Sequence, residues 1–150
     1  MTSEVQVDGR ALGRRLQEPM PLRGKLRLAV EIFATYARVR VLLARCPLPE
    51  ALAALRRRAA VRPEVTLEDQ VAGMRLGFGV SKALAPLPFD SRCLVRSLVL
   101  TAMLARRGID GRLVIGVDAG TEFAAHAWVE AGGVALLPVE SERYGRITEL

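Results

Sequence analysis

The hydrophobic period of this chain changes once, near Gly108, and that change decides which fold class it can adopt. Ahead of it apolar residues recur every three or four positions; behind it they alternate. Leu26, Val30, Phe33, Ala37 and Val41 predict a helix over 22–45, stopped by Cys46-Pro47-Leu48-Pro49. A second helix over 50–60 carries Arg56-Arg57-Arg58, most simply a solvated face, with docking of a partner or an acidic leader peptide as the other reading. Thr66-Leu67-Glu68-Asp69 resembles a capping box, with Asp69 in place of Glu or Gln, and opens a third helix reaching about Ala83. Gly73, Gly77 and Gly79 work against that helix, since an interior glycine costs about 1 kcal/mol relative to alanine. Pro86-Leu87-Pro88 ends it, Asp90 or Ser91 can cap a fourth helix over 92–107, and Gly108 supplies its left-handed stop.

Beyond Gly108, strands are expected over 112–117, 124–130 and 134–139, the last two joined by a Gly132-Gly133 hairpin turn. Helices followed by a small antiparallel sheet make an α+β layout without internal repeats. The weakly periodic stretch 1–21, with Pro19-Met20-Pro21 at its end, reads as a flexible N-terminal arm in which Arg14-Arg15 could also serve docking. The rest, 22–150, reads as a single domain with a helical part over 22–85 and a core over 86–150.

Charge narrows the partners. The net +6 comes from 22 basic against 16 acidic residues, which suits nucleic acid, an anionic membrane surface or an acidic peptide. Few aromatic residues are present and none interleaves with the basic ones, so base stacking has little support and nucleic acid is the weakest of the three, with none expected as a partner. Arg38, Arg40 and Arg45 interrupt the longest apolar stretch, which speaks against a membrane span. Residues 1–15 lack the pattern of a secretory signal, so Cys46 and Cys93 are expected to be free thiols in the cytoplasm.

The chemistry concentrates in two places. Cys93 falls in the first turn of the fourth helix, where unpaired N–H groups and the positive end of the macrodipole favour a thiolate. His126, the only histidine, lies in Ala125-His126-Ala127-Trp128-Val129-Glu130, and alternation sends His126, Trp128 and Glu130 to one face of the strand. A helix-borne thiol and a strand-borne imidazole are the minimum for thiolate catalysis. Cys46, between an amphipathic helix and a proline, reads as a packing residue. Two cysteines and one histidine lack the CxxC and HxxxH spacings of a zinc site, Gly77-Phe78-Gly79 lacks the spacing of a phosphate loop, and no cofactor is indicated.

Cys93-Leu94-Val95-Arg96-Ser97-Leu98, Leu104-Ala105-Arg106-Arg107-Gly108-Ile109, Leu113-Val114-Ile115-Gly116-Val117 and the His126 segment together resemble the protease component of lasso peptide biosynthesis, a transglutaminase-like cysteine protease. The resemblance implies a papain/transglutaminase-like core, with a Cys-bearing helix packed on a small antiparallel sheet. It implies a leader peptidase, with Cys93 as nucleophile and His126 as general base. The substrate would be a ribosomal precursor peptide, cut at its leader-core junction so that a partner lasso cyclase can close a macrolactam. About 21 residues precede the first helix, which implies a separate leader-binding protein. Such proteins orient the histidine with an aspartate on the following strand, and here Glu140 is the nearest replacement by position, followed by Glu130, Glu142 and Asp118. The same pair could instead perform acyl transfer, and a non-catalytic adaptor with Cys93 as a packing residue is the third reading.

Overall fold

In the computed structural model, residues 20–57, 60–87, 92–118, 124–137 and 145–150 are described. They form helices α1 (Leu22–Arg45), α2 (Leu48–Arg56), α3 (Leu67–Leu84) and α4 (Arg92–Arg106), then strands β1 (Arg112–Asp118), β2 (Ala124–Ala131), β3 (Val134–Ala135) and β4 (Gly145–Glu149). The sheet is antiparallel, in the order β3-β2-β1-β4. The architecture is α+β, a cysteine-bearing helix packed on a small antiparallel sheet with three helices ahead of it in the chain. Apart from Met20 and Pro21, the N-terminal arm lies outside the described residues.

α4 is the centre of the molecule because it is apolar on every side. Leu98, Val99, Leu100, Ala102, Met103, Leu104 and Ala105 are all buried, and such a helix is stable only when surrounded. α1 packs on it through Ile32, Thr35 and Val39, α3 through Leu76 and Val80, and the sheet through Leu113, Ala127, Val129 and Ala131. Its C-terminus closes as a Schellman motif: Gly108 takes φ +73°, its N–H donates to Ala105 O, and the Ile109 N–H donates to Leu104 O. In that last turn, Arg107 grips the Glu31 carboxylate of α1 with both terminal nitrogens at 2.9 and 2.8 Å, and Arg106 donates to Thr35 Oγ1 at 2.9 Å. The Arg107 hydrogen bonds hold the Glu31 carboxyl below its usual pKa against the opposing effect of burial.

Local chemistry explains the helix boundaries. Pro47 caps α2 and Pro49 sits in its first turn, where a missing N–H costs nothing, so the helix begins at Leu48 rather than Glu50. Arg56 is not part of a solvated face: its guanidinium donates to the carbonyls of Gly111 and Leu150, tying α2 to the corner where β1 begins and β4 ends, while Arg57 is exposed. At α3 the capping box is complete. Thr66 accepts from the Asp69 N–H, and the Thr66 N–H donates back to Asp69 Oδ2 at 3.0 Å. That backbone bond, with help from Arg62, keeps the Asp69 carboxyl ionised below its usual range.

The glycines that weaken α3 in sequence are explained by what lies against them. A Cβ on Gly73 would fall 2.7 Å from Leu136 Cδ1, and one on Gly77 would collide with the Leu136 carbonyl oxygen, so both glycines admit the chain just after β3. The Gly132-Gly133 turn has φ +57° and +79°, as a tight two-residue hairpin requires. β3 was expected over 134–139 and is only Val134–Ala135, with 138–139 outside the described residues. β4 was not expected; it adds to the free side of β1, with a register shift between Ile115 and Gly116.

Gly77→Ala is expected to lower stability by about 1–3 kcal/mol in urea denaturation, despite the ~1 kcal/mol that alanine gains in helix propensity. Gly79→Ala, whose Cβ would meet Leu28 Cδ2 at 3.4 Å, is expected to be neutral or stabilising in the same measurement.

Candidate active site

Cys93 is the second residue of α4 and half-buried against the main core cluster. One turn later the buried Ser97 hydroxyl donates to Ala127 O at 3.0 Å. Among the described residues the last bond from the β3 side to β2 is that of the Leu136 N–H to Val129 O, and Ala127 O is the next carbonyl on that edge. Further along α4, the side chains of Leu104 and Val129 converge over Gly111. α4 thus runs along β2 from Ala127 towards Val129, and Cys93, about 6 Å upstream of Ser97 along the helix axis, lies towards the His126 end of the strand.

His126 sits half-buried on β2 beside Ala127. The register pairs Gly116 with His126, Val114 with Trp128 and Arg112 with Glu130, so these residues share one face, while Ala127, Val129 and Ala131 meet α4 on the other. The His126 side chain therefore lies on the face of β2 opposite the one that α4 covers. The imidazole stacks on the Trp128 indole, with ring centroids 6.2 Å apart and planes 20° apart. Trp128 is buried, and its Nε1 donates to Glu130 Oε1 at 2.8 Å, itself buried. Burial pushes the His126 pKa below its ordinary 6.5 and keeps the ring neutral. The fold therefore loses stability as pH falls below 6.5, where the unfolded chain takes up the proton more readily.

Of the carboxylates expected to orient the histidine, Glu130 is described and is engaged by Trp128. Glu140, Glu142 and the Asp118 side chain lie outside the described residues, as do the capping candidates Asp90 and Ser91. Cys46 is a different kind of cysteine: its Sγ donates to Leu42 O at 3.2 Å and its N–H donates to the same oxygen, so the thiol helps terminate α1. Among the described residues no three His, Cys, Asp or Glu side chains gather as a metal site.

Two residues at the site were missed in the sequence. Ser97 was detectable as a polar residue one turn after Cys93 in an apolar helix. Gly116 was detectable as a glycine inside a strand, which marks a close approach: a Cβ there would meet the Trp128 ring at 2.9 Å and Gly145 O at 2.9 Å.

A model of the transglutaminase-like superfamily matches residues 22–149, spanning all eight described elements. The chain belongs to that superfamily. No curated protein and no solved structure matches it. In this transglutaminase-like chain no helix among the described residues is long and apolar enough to cross a membrane.

Because Trp128 is the only tryptophan, it reports on the face that carries His126. Gly116→Val is expected to displace the indole and move its fluorescence emission to longer wavelength. Emission unchanged from the wild type would mean that the ring does not occupy the space Gly116 leaves.

Proposed function

We propose that this transglutaminase-like chain is a cysteine peptidase that removes the leader from a ribosomal lasso precursor peptide. The observation that carries the thiol chemistry is the run of α4 along β2, pinned by Ser97 on Ala127 O, with Cys93 upstream of that contact and His126 beside it. In this reading the Cys93 sulfur attacks the scissile carbonyl while His126 takes the thiol proton. First-turn N–H groups of α4 stabilise the oxyanion, and His126 returns the proton to the leaving amine, releasing the core peptide with a free N-terminus. Water then adds to the Cys93 thioester, His126 again acting as base, and the leader departs as a carboxylate. Choice of a lasso precursor rests on the four motifs from Cys93 to Glu130. A separate leader-binding protein and a cyclase are the partners, in the cytoplasm.

Superfamily membership supports a second outcome of the same thioester, transfer to an amine instead of water. Mass spectrometry of the precursor after incubation with chain and leader-binding protein separates them: a shortened core means hydrolysis, and a cross-linked or acylated product means transfer. Cys93→Ala is expected to abolish either product and Cys46→Ser to preserve it. Full cleavage by the Cys93→Ala protein would sink the reading. For the group that orients His126, Glu140 is proposed, and Glu140→Gln is expected to lower cleavage more than Glu130→Gln; the reverse order assigns the role to Glu130.

The lowered His126 pKa gives the pH dependence its sign. An imidazole that is neutral to lower pH keeps working as a base there, so the acid limb of kcat/KM is expected below pH 6.5. A limb above that value would contradict a base held neutral by burial.

A further inference from the structure

α1 carries two apolar stripes, and only one of them is covered by the fold. Ile32, Thr35 and Val39 are buried, with Leu28, Tyr36, Leu42 and Leu43 packed beside them. On the far side Leu22, Leu26, Val30, Phe33 and Val41 remain between 45% and 84% exposed. With exposed Ala37 and Ala44 they recur at 4-4-3 spacing over the whole helix, an 11-residue period that keeps a stripe nearly parallel to the axis. On the order of 500 Å² of apolar surface lies in this strip, at the upper end of what a monomer leaves open.

The borders of the strip choose among occupants. Arg23, Arg27 and Arg45 flank one side and Lys25 the other, all exposed. The one acidic residue of α1, Glu31, is turned inward and held by Arg107. A second copy would set like charges against each other along both borders. A lipid surface is matched by the charge but not by the shape, because Ala34, Ala37 and Ala44 give the strip a shallow C-terminal half with little to insert into acyl chains. Small residues between larger ones instead form the grooves that accept the ridges of another helix.

We infer that the outward face of α1 docks an amphipathic helix of a partner protein, apolar along one stripe and acidic on both flanks. Docking there requires nothing of Cys93 or His126, so a protein inactive as a peptidase would still bind.

The test uses the full chain and a labelled synthetic 24-residue helical peptide with leucines at 4-4-3 spacing and glutamates on both flanks, followed by fluorescence anisotropy. Saturable binding is expected, weakened about tenfold or more by Val30→Glu or Phe33→Glu and by added salt, and lost when lysines replace the glutamates. Thermal melting of both variants is expected to match the wild type, since both side chains face outward. Absence of binding, equal binding of the acidic and basic peptides, or binding untouched by Val30→Glu overturns the inference. So does a wild-type dimer in sedimentation that Val30→Glu dissociates, which would assign the face to a second copy. Flotation with phosphatidylserine vesicles that Val30→Glu abolishes, without peptide binding, would assign it to a membrane.

Discussion

Everything in this molecule is arranged around a helix that cannot face water. Each apolar side chain that α4 buries contributes about 1.5–3 kcal/mol relative to exposure, and its buried run leaves no solvated side between Ser97 and Ala105. Two consequences follow. Neighbouring elements must supply complementary apolar faces, which α1, α3 and the sheet do. Of the few polar groups on α4, Ser97 finds the Ala127 carbonyl, whereas Thr101 Oγ1 and Arg96 Nε are buried without a hydrogen-bond partner among the described residues. A packing requirement thereby becomes a positional one, because that hydrogen bond fixes where along β2 the helix begins.

The helices and the first two strands could be read from the sequence because their signals are local. The capping box at Thr66, the stop at Gly108 and the Gly132-Gly133 turn all act within a few residues. What escaped depends on contacts between distant segments. Either stripe of α1 could have faced inward on periodicity alone, and the choice is tied to Glu31 and Thr35, whose partners Arg106 and Arg107 are the last residue of α4 and the one after it. Arg56 looked like one of three solvated arginines until Gly111 and Leu150 were brought to it. β4 is a short, largely polar run whose identity as a strand comes from the free edge of β1.

At the candidate site, the alternation of His126, Trp128 and Glu130 on one face followed from strand geometry and is what the structure contains. Their coupling was not visible in that alternation. The imidazole rests on an indole, the indole is anchored by a buried carboxylate, and the space for the indole exists because Gly116 has no side chain. The His126 ring is thus stacked on a buried indole, and its burial accounts for the direction of its titration. Cys93 and Cys46 differ for equally physical reasons. One thiol opens a helix and the other closes one, and only the closing thiol is occupied by a main-chain oxygen of its own helix.

The hydroxyl on Ala127 also governs how an extended peptide can approach the sheet. A strand edge with open carbonyls invites another chain to pair with it, whether a substrate or a neighbouring molecule. With Ser97 seated on Ala127 O, that carbonyl is already engaged from α4. The same contact that positions α4 thus occupies one carbonyl through which β2 could otherwise pair with another chain.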